Sequence, residues 1–93
     1  MIVDWQDKEA LKIWNMQPST RLPPEIQQRV RQKLILIDAA ISLSDLKSPP
    51  SNSLEALKHD RKGQYSIRIN NQWRICFEWN NGRVVIVDIV DYH

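Results

Sequence analysis

Arg68 and Arg74 fall at matching positions of two alternating segments, Tyr65-Ser66-Ile67-Arg68-Ile69 and Trp73-Arg74-Ile75-Cys76-Phe77-Glu78-Trp79. A guanidinium stays charged in any setting and presents a fork of donors matched to phosphate oxygens. Two of them on one face of a sheet could hold a phosphodiester; the alternative is a solvated polar face with a structural Arg74–Asp88 pair. A second concentration of charge is the loop Leu57-Lys58-His59-Asp60-Arg61-Lys62-Gly63. It could clamp a nucleic-acid backbone, or it is simply a solvated loop. The third feature is Asp91-Tyr92-His93. An imidazole exchanges protons near neutral pH, and a tyrosine can stack on a base or orient a phosphate, although terminal residues commonly fray. No Gly-rich phosphate loop, metal-ligand spacing or Ser-His-Asp order is present, so no metal or cofactor is expected. Glu25, Asp38 and Asp45 read as surface carboxylates of the helical half.

These residues need a scaffold, and the pattern supplies one: a helical first half and a strand-rich second half. Residues 1–5 read as a short edge strand. Asp7 offers an N-cap for a helix over residues 8–16. Pro24 suits the first turn of a second helix, in which Ile26, Val30, Leu34, Ile37 and Ile41 form one apolar stripe. Ser42 to Leu46 adds a short turn before Pro49-Pro50.

Three antiparallel strands follow. A three-residue loop, Asn70-Asn71-Gln72, pairs Tyr65 with Phe77, Ile67 with Ile75 and Ile69 with Trp73, keeping apolar residues on one face. The same reasoning makes Asn80-Asn81-Gly82 a three-residue loop, sets Val85, Val87 and Ile89 on the core face, and puts Arg74 between Arg68 and Asp88. Two adjacent arginines are unfavourable without an anion nearby. With the helices covering the apolar face, the arginine face is expected to be open.

A chain of 93 residues is expected to be one domain, spanning 1–93, and buries about 60–65% of its extended surface. Its 42% hydrophobic and 26% charged residues are those of a soluble globular chain. The net charge of +2 implies no polyanion partner by itself. The charge is local, however: Lys58, Arg61, Lys62, Arg68 and Arg74 share their stretch with one acid, Asp60, and such a patch attracts a polyanion. A single cysteine, Cys76, excludes an internal disulfide and suits a reducing compartment. No signal peptide or bilayer-spanning run is read, so a cytoplasmic, non-membrane protein is expected.

The run Leu57-Lys58-His59-Asp60-Arg61-Lys62-Gly63-Gln64-Tyr65-Ser66-Ile67, then Trp73-Arg74-Ile75-Cys76-Phe77, then Asp91-Tyr92-His93 strongly resembles the HigB toxins of the RelE/ParE superfamily, from bacterial toxin–antitoxin pairs. The resemblance is close over residues 54–93 and rests mainly on helical layout before that. It implies an α+β, RelE-like fold: two N-terminal helices packed on a small, mainly antiparallel sheet. It also implies metal-independent cleavage of mRNA in the ribosomal A site, with the ribose 2′-hydroxyl attacking the adjacent phosphorus. That reaction requires a base, a cation for the phosphorane and an acid for the leaving oxygen. By matching positions the resemblance assigns catalysis to Arg74, Asp91, Tyr92 and His93: His93 as proton-transfer group, Arg74 as phosphate stabiliser, Tyr92 orienting the nucleotide, and Asp91 orienting His93 or Arg74. Lys58, Arg61, Lys62 and Arg68 are assigned to RNA binding. Where some members carry a histidine ahead of the Leu-Lys segment, this chain has Glu55, a candidate base, and His59 stands where others have glycine. The general base is therefore left open.

The implied partners are a helix-turn-helix antitoxin of the HigA type and the ribosome with its mRNA; the free toxin is expected to be a monomer. Two rivals stand beside this reading. One is a ParE-like toxin that binds DNA gyrase without catalysis. The other is a degenerate toxin that only binds its antitoxin.

Overall fold

The computed structural model describes residues 1–91. Five strands and two helices follow the order β1 (Ile2–Trp5), α1 (Lys8–Trp14), α2 (Pro24–Ala39), β2 (Glu55–Ala56), β3 (Gln64–Arg68), β4 (Trp73–Asn80) and β5 (Arg83–Asp91). Short 3-10 turns at Leu43–Lys47, Pro50–Asn52 and His59–Arg61 join the halves. No helix among the described residues is long and apolar enough to cross a membrane.

Asp7 caps α1 as expected: its Oδ1 accepts from the Glu9 and Ala10 amides at 2.9 and 3.2 Å. The same carboxylate does more. Its Oδ2 accepts from Arg21 at 2.6 Å and from the Ile89 amide at 3.1 Å, so one buried group fastens α1, the segment after it and β5 together. A buried carboxylate is tolerated because every lone-pair direction is occupied by a donor. Pro24 opens α2, whose Ile26, Val30, Leu34 and Ile37 are buried.

Ile41, placed in that stripe by periodicity, is instead 88% exposed. The helix ends at Ala39 because the Asp45 carboxylate captures the Ile41 and Ser42 amides at 2.9 and 3.1 Å. Those bonds start the next turn, not another turn of α2.

The sheet order is β1-β5-β4-β3-β2. β1 runs parallel to β5, and the other neighbours are antiparallel. The β3–β4 register is the one the alternation requires: Tyr65 faces Phe77, Ile67 faces Ile75, and Arg68 faces Arg74. Asn70 closes the loop by accepting from the Gln72 and Trp73 amides, both at 2.8 Å.

The β4–β5 hairpin departs from expectation. Asn80 pairs with Arg83, leaving a two-residue turn in which Asn81 and Gly82 have φ of 52° and 83°, the primed turn that matches strand twist. The parity error this would cause is corrected by a bulge: Phe77 faces Ile86 while Cys76 faces Asp88, so Val87 is the extra residue. Val84, Ile86 and Ile89 therefore occupy the core face, not Val85, Val87 and Ile89. Arg74 lies across from Val90, and Asp88 lies across from Cys76. The core between helices and sheet unites Ile13, Val30, Leu34, Ile37, Ile67, Ile75, Phe77 and Ile86, among others.

Candidate active site

On the face of the sheet turned away from α2, side chains form two rows across the strands. Glu55, Ser66, Cys76 and Asp88 make one row; Arg68, Arg74 and Val90 make the next. The segment after Pro50–Asn52 folds over this face. It turns at Ser53, which takes a left-handed φ of 45°, and pairs Glu55-Ala56 with β3 as the two-residue strand β2.

That cover makes the arginine face closed, contrary to expectation. Arg74 is only 7% exposed. Its Nε donates to Ser66 Oγ at 2.9 Å, and its Nη2 donates to the carbonyls of Ser66 and Ser53. Its Nη1 lies 3.8 Å from Glu55 Oε1. Arg68 turns elsewhere, donating from Nε to the Asn70 carbonyl at 3.1 Å. The paired arginines are thus held apart by different partners. Asp88, expected to relieve them, is engaged by Arg61 at 2.7 Å.

Arg61 also donates to Gln64 at 3.0 Å, and the Asp88 hydrogen bond holds its guanidinium more firmly charged than usual. This pair anchors the charged loop to β5. Lys58, His59 and Lys62 stay exposed around it, with His59 at a φ of 60°. Glu55, Lys58, His59, Asp60 and Arg61 line a hollow of about 350 Å³. Cys76, in the middle of the face, is 1% exposed. Burial, and then the neighbouring Asp88 carboxylate, push its thiol up to about 11, which removes it as a nucleophile at neutral pH.

Asp91 ends β5 across from Trp73 and accepts from Gln72 Nε2 at 3.0 Å. Tyr92 and His93 lie outside the described residues. The structure therefore brings Arg74 and Glu55 together, sets Arg68 beside them, and places Arg61, Lys58 and Lys62 on the adjoining loop. Sequence reasoning missed Ser66 and Ser53, the groups that aim Arg74. Ser66 had a usable signal, because it shares the polar parity of Arg68 one pleat away; Ser53 acts through its backbone and had none.

A fixed guanidinium, a carboxylate beside it and a rim of lysines can bind and stabilise a phosphoryl centre. The scaffold carrying them is shared with YafQ from E. coli strain BL21(DE3), with a TM-score of 0.66 at 12% identity, over 98% of this chain and 91% of that one. Residues 3–93 match the HigB-like toxins, described as RelE-like toxins of type II toxin–antitoxin systems, and the chain belongs to that family. It is 36% identical to Toxin HigB-1 of Vibrio cholerae serotype O1, covering 100% of this chain and 98% of the relative. It is 30% identical to Endoribonuclease HigB of Proteus vulgaris over the full length of both.

Proposed function

We propose that this chain is the toxin of a type II toxin–antitoxin pair and cleaves mRNA on the ribosome without a metal ion. The observation that carries the reading is the Arg74 guanidinium, fixed by Ser66 and Ser53 with the Glu55 carboxylate 3.8 Å away. Glu55 accepts the 2′-hydroxyl proton, and the ribose oxygen then attacks the adjacent phosphorus. Arg74 stabilises the charge that builds on the phosphoryl oxygens, with little reorganisation because its own partners already hold it in place. His93 protonates the departing 5′-oxygen, leaving a 2′,3′-cyclic phosphate and a free 5′-hydroxyl. Asp91 orients His93, and Tyr92 orients the nucleotide. Lys58, Arg61, Lys62 and Arg68 hold flanking phosphates.

Ribosome dependence follows from the modest size of this basic patch, since phosphate contacts are weakened steeply by salt. A HigA-type helix-turn-helix antitoxin restrains the monomeric toxin in the cytoplasm.

Purified protein added to ribosomes translating a defined mRNA tests the reading. Discrete cuts with cyclic phosphate ends are expected, while the same RNA without ribosomes stays nearly intact. Intact mRNA on translating ribosomes overturns the proposal, and gyrase inhibition in its place would make the protein ParE-like. Deleting His93 is expected to abolish cleavage and to spare antitoxin binding.

A further inference from the structure

The hollow beside Glu55 leaves one group of cations unused. Between α2 and the β3–β4 loop lies a second hollow, of about 520 Å³, lined by Arg29, Gln32, Lys33, Arg68 and Asn71 with Ser51 at its rim. Three of these are cations, and no carboxylate among the described residues lines the hollow. Four cations elsewhere in the chain, Lys12, Arg21, Arg61 and Arg74, each meet a carboxylate. Arg29, Lys33 and Arg68 meet none among the described residues.

Their existing bonds leave donors to spare. Arg29 reaches the Ile69 carbonyl at 3.5 Å, Arg68 uses Nε on Asn70, and Lys33 uses one of its three protons on the buried Asn52 amide oxygen. Burial, and then the proximity of Arg29, hold the Lys33 ammonium below its usual pKa, as expected where like charges gather without an anion. Arg68 belongs to both places, because it stands directly across the ladder from Arg74. The hollow therefore begins one strand from the Arg74 guanidinium.

We infer that Arg29, Lys33 and Arg68 form a second phosphodiester site, taking the backbone of RNA next to the scissile link. The inference rests on the RNA-cleaving reading and adds α2 to the RNA surface. Two guanidinium forks and an ammonium supply charged donors. Gln32 and Asn71 supply neutral amides at the same rim. The phosphates could come from the mRNA strand or from ribosomal RNA, and the chemistry of recognition is shared.

The test compares wild type with Arg29→Gln/Lys33→Gln and with Arg29→Gln alone. The single variant touches an exposed residue and guards against misfolding caused by losing the Lys33–Asn52 bond. Binding of a fluorescent single-stranded oligoribonucleotide is titrated against salt, and binding to vacant ribosomes is measured alongside. For an mRNA contact, the double variant binds the oligonucleotide about tenfold more weakly, and its log–log salt slope is shallower by about 1.4, or about 0.7 per lost phosphate contact. A loss confined to vacant ribosomes assigns the site to ribosomal RNA and also upholds it. Unchanged binding to both RNAs overturns the inference, as does weakened antitoxin binding with RNA binding intact, which would make the hollow a seat for an acidic protein segment. Failure of the wild type to cut mRNA on ribosomes would instead count against the cleavage reading, because this assay scores binding alone.

Discussion

The two faces of the sheet are both closed, but by different physics. Toward the helices, Ile67, Ile75, Phe77, Val84 and Ile86 are all 0% exposed, and what excludes water is apolar area, which is non-directional. On the other face Ser66, Cys76 and Arg74 are 0%, 1% and 7% exposed, and what closes it is a set of directed bonds around a charge. The first kind of closure tolerates changes of shape and resists loss of volume. The second fails when any one partner is removed, because the group left behind is buried and unsatisfied. Stability should therefore respond most on one face and chemistry on the other.

Phe77→Ala gives the largest effect. It empties the centre of the apolar face and is expected to cost about 3–5 kcal/mol, read as a fall in the denaturation midpoint in urea. A loss under 1 kcal/mol would mean that the helical layer collapses onto the hole and the two faces differ less than proposed. Arg74→Ala comes next. Cleavage on ribosomes should fall about 10²–10³-fold, and stability by about 1–3 kcal/mol, because the carbonyls of Ser53 and Ser66 lose their donor. Arg74→Lys keeps the charge without the fork, so it should recover part of the stability and little of the rate. Equal recovery of both would show that charge alone, not aim, matters on this face.

Smaller effects sharpen the contrast at its edges. Gly82→Ala should cost about 1 kcal/mol, measured by thermal melting. An added Cβ would meet only the Ile41 carbonyl, at 3.8 Å, so the penalty is backbone strain at a φ of 83° and not a clash. Last is a pH effect among directed bonds outside the sheet. The Ser19 hydroxyl first, and then Lys12, lower the Glu9 carboxyl from 4.5 to about 2. A carboxyl depressed on folding stabilises fully above its unfolded pKa and loses that contribution as pH falls through the folded one. Wild type should thus weaken between pH 4.5 and 2 more than Glu9→Gln does, in denaturant midpoints taken across that range. Identical slopes would remove Glu9 from the account.

The apolar face was legible in the chain because burial leaves a periodic trace: the α2 stripe up to Ile37 and the β3–β4 register both follow from spacing alone. The β4–β5 register was not, although Asn81-Gly82 is the strongest short hairpin signal. Requiring unbroken alternation through Val85, Val87 and Ile89 forced the longer loop, and a bulge at Val87 has no residue signature. β2 escaped because two residues carry no period. The cover over Arg74 escaped for a deeper reason: hydrogen bonds to the Ser53 carbonyl depend on where the backbone goes, not on which side chain stands there. Family resemblance reached Arg74 and Glu55 without that knowledge, but it could not show that the arginine is enclosed.

The pairing of β1 with β5 sets an order of events during synthesis. The Met1 carbonyl accepts from the Val84 amide at 2.9 Å, Ile2 lies beside Val84, and Trp5 lies beside Ile86. β1 is thus seated by β5, the strand farthest from it in the sequence. While the chain is emerging from the ribosome, residues 2–5 have no neighbour to join, and the Ile89 amide that fills the Asp7 carboxylate does not yet exist. Contacts between segments this distant in sequence form late. A chain interrupted before Val84 cannot seat β1, and it leaves β4 without its β5 neighbour and Asp7 without one of its donors.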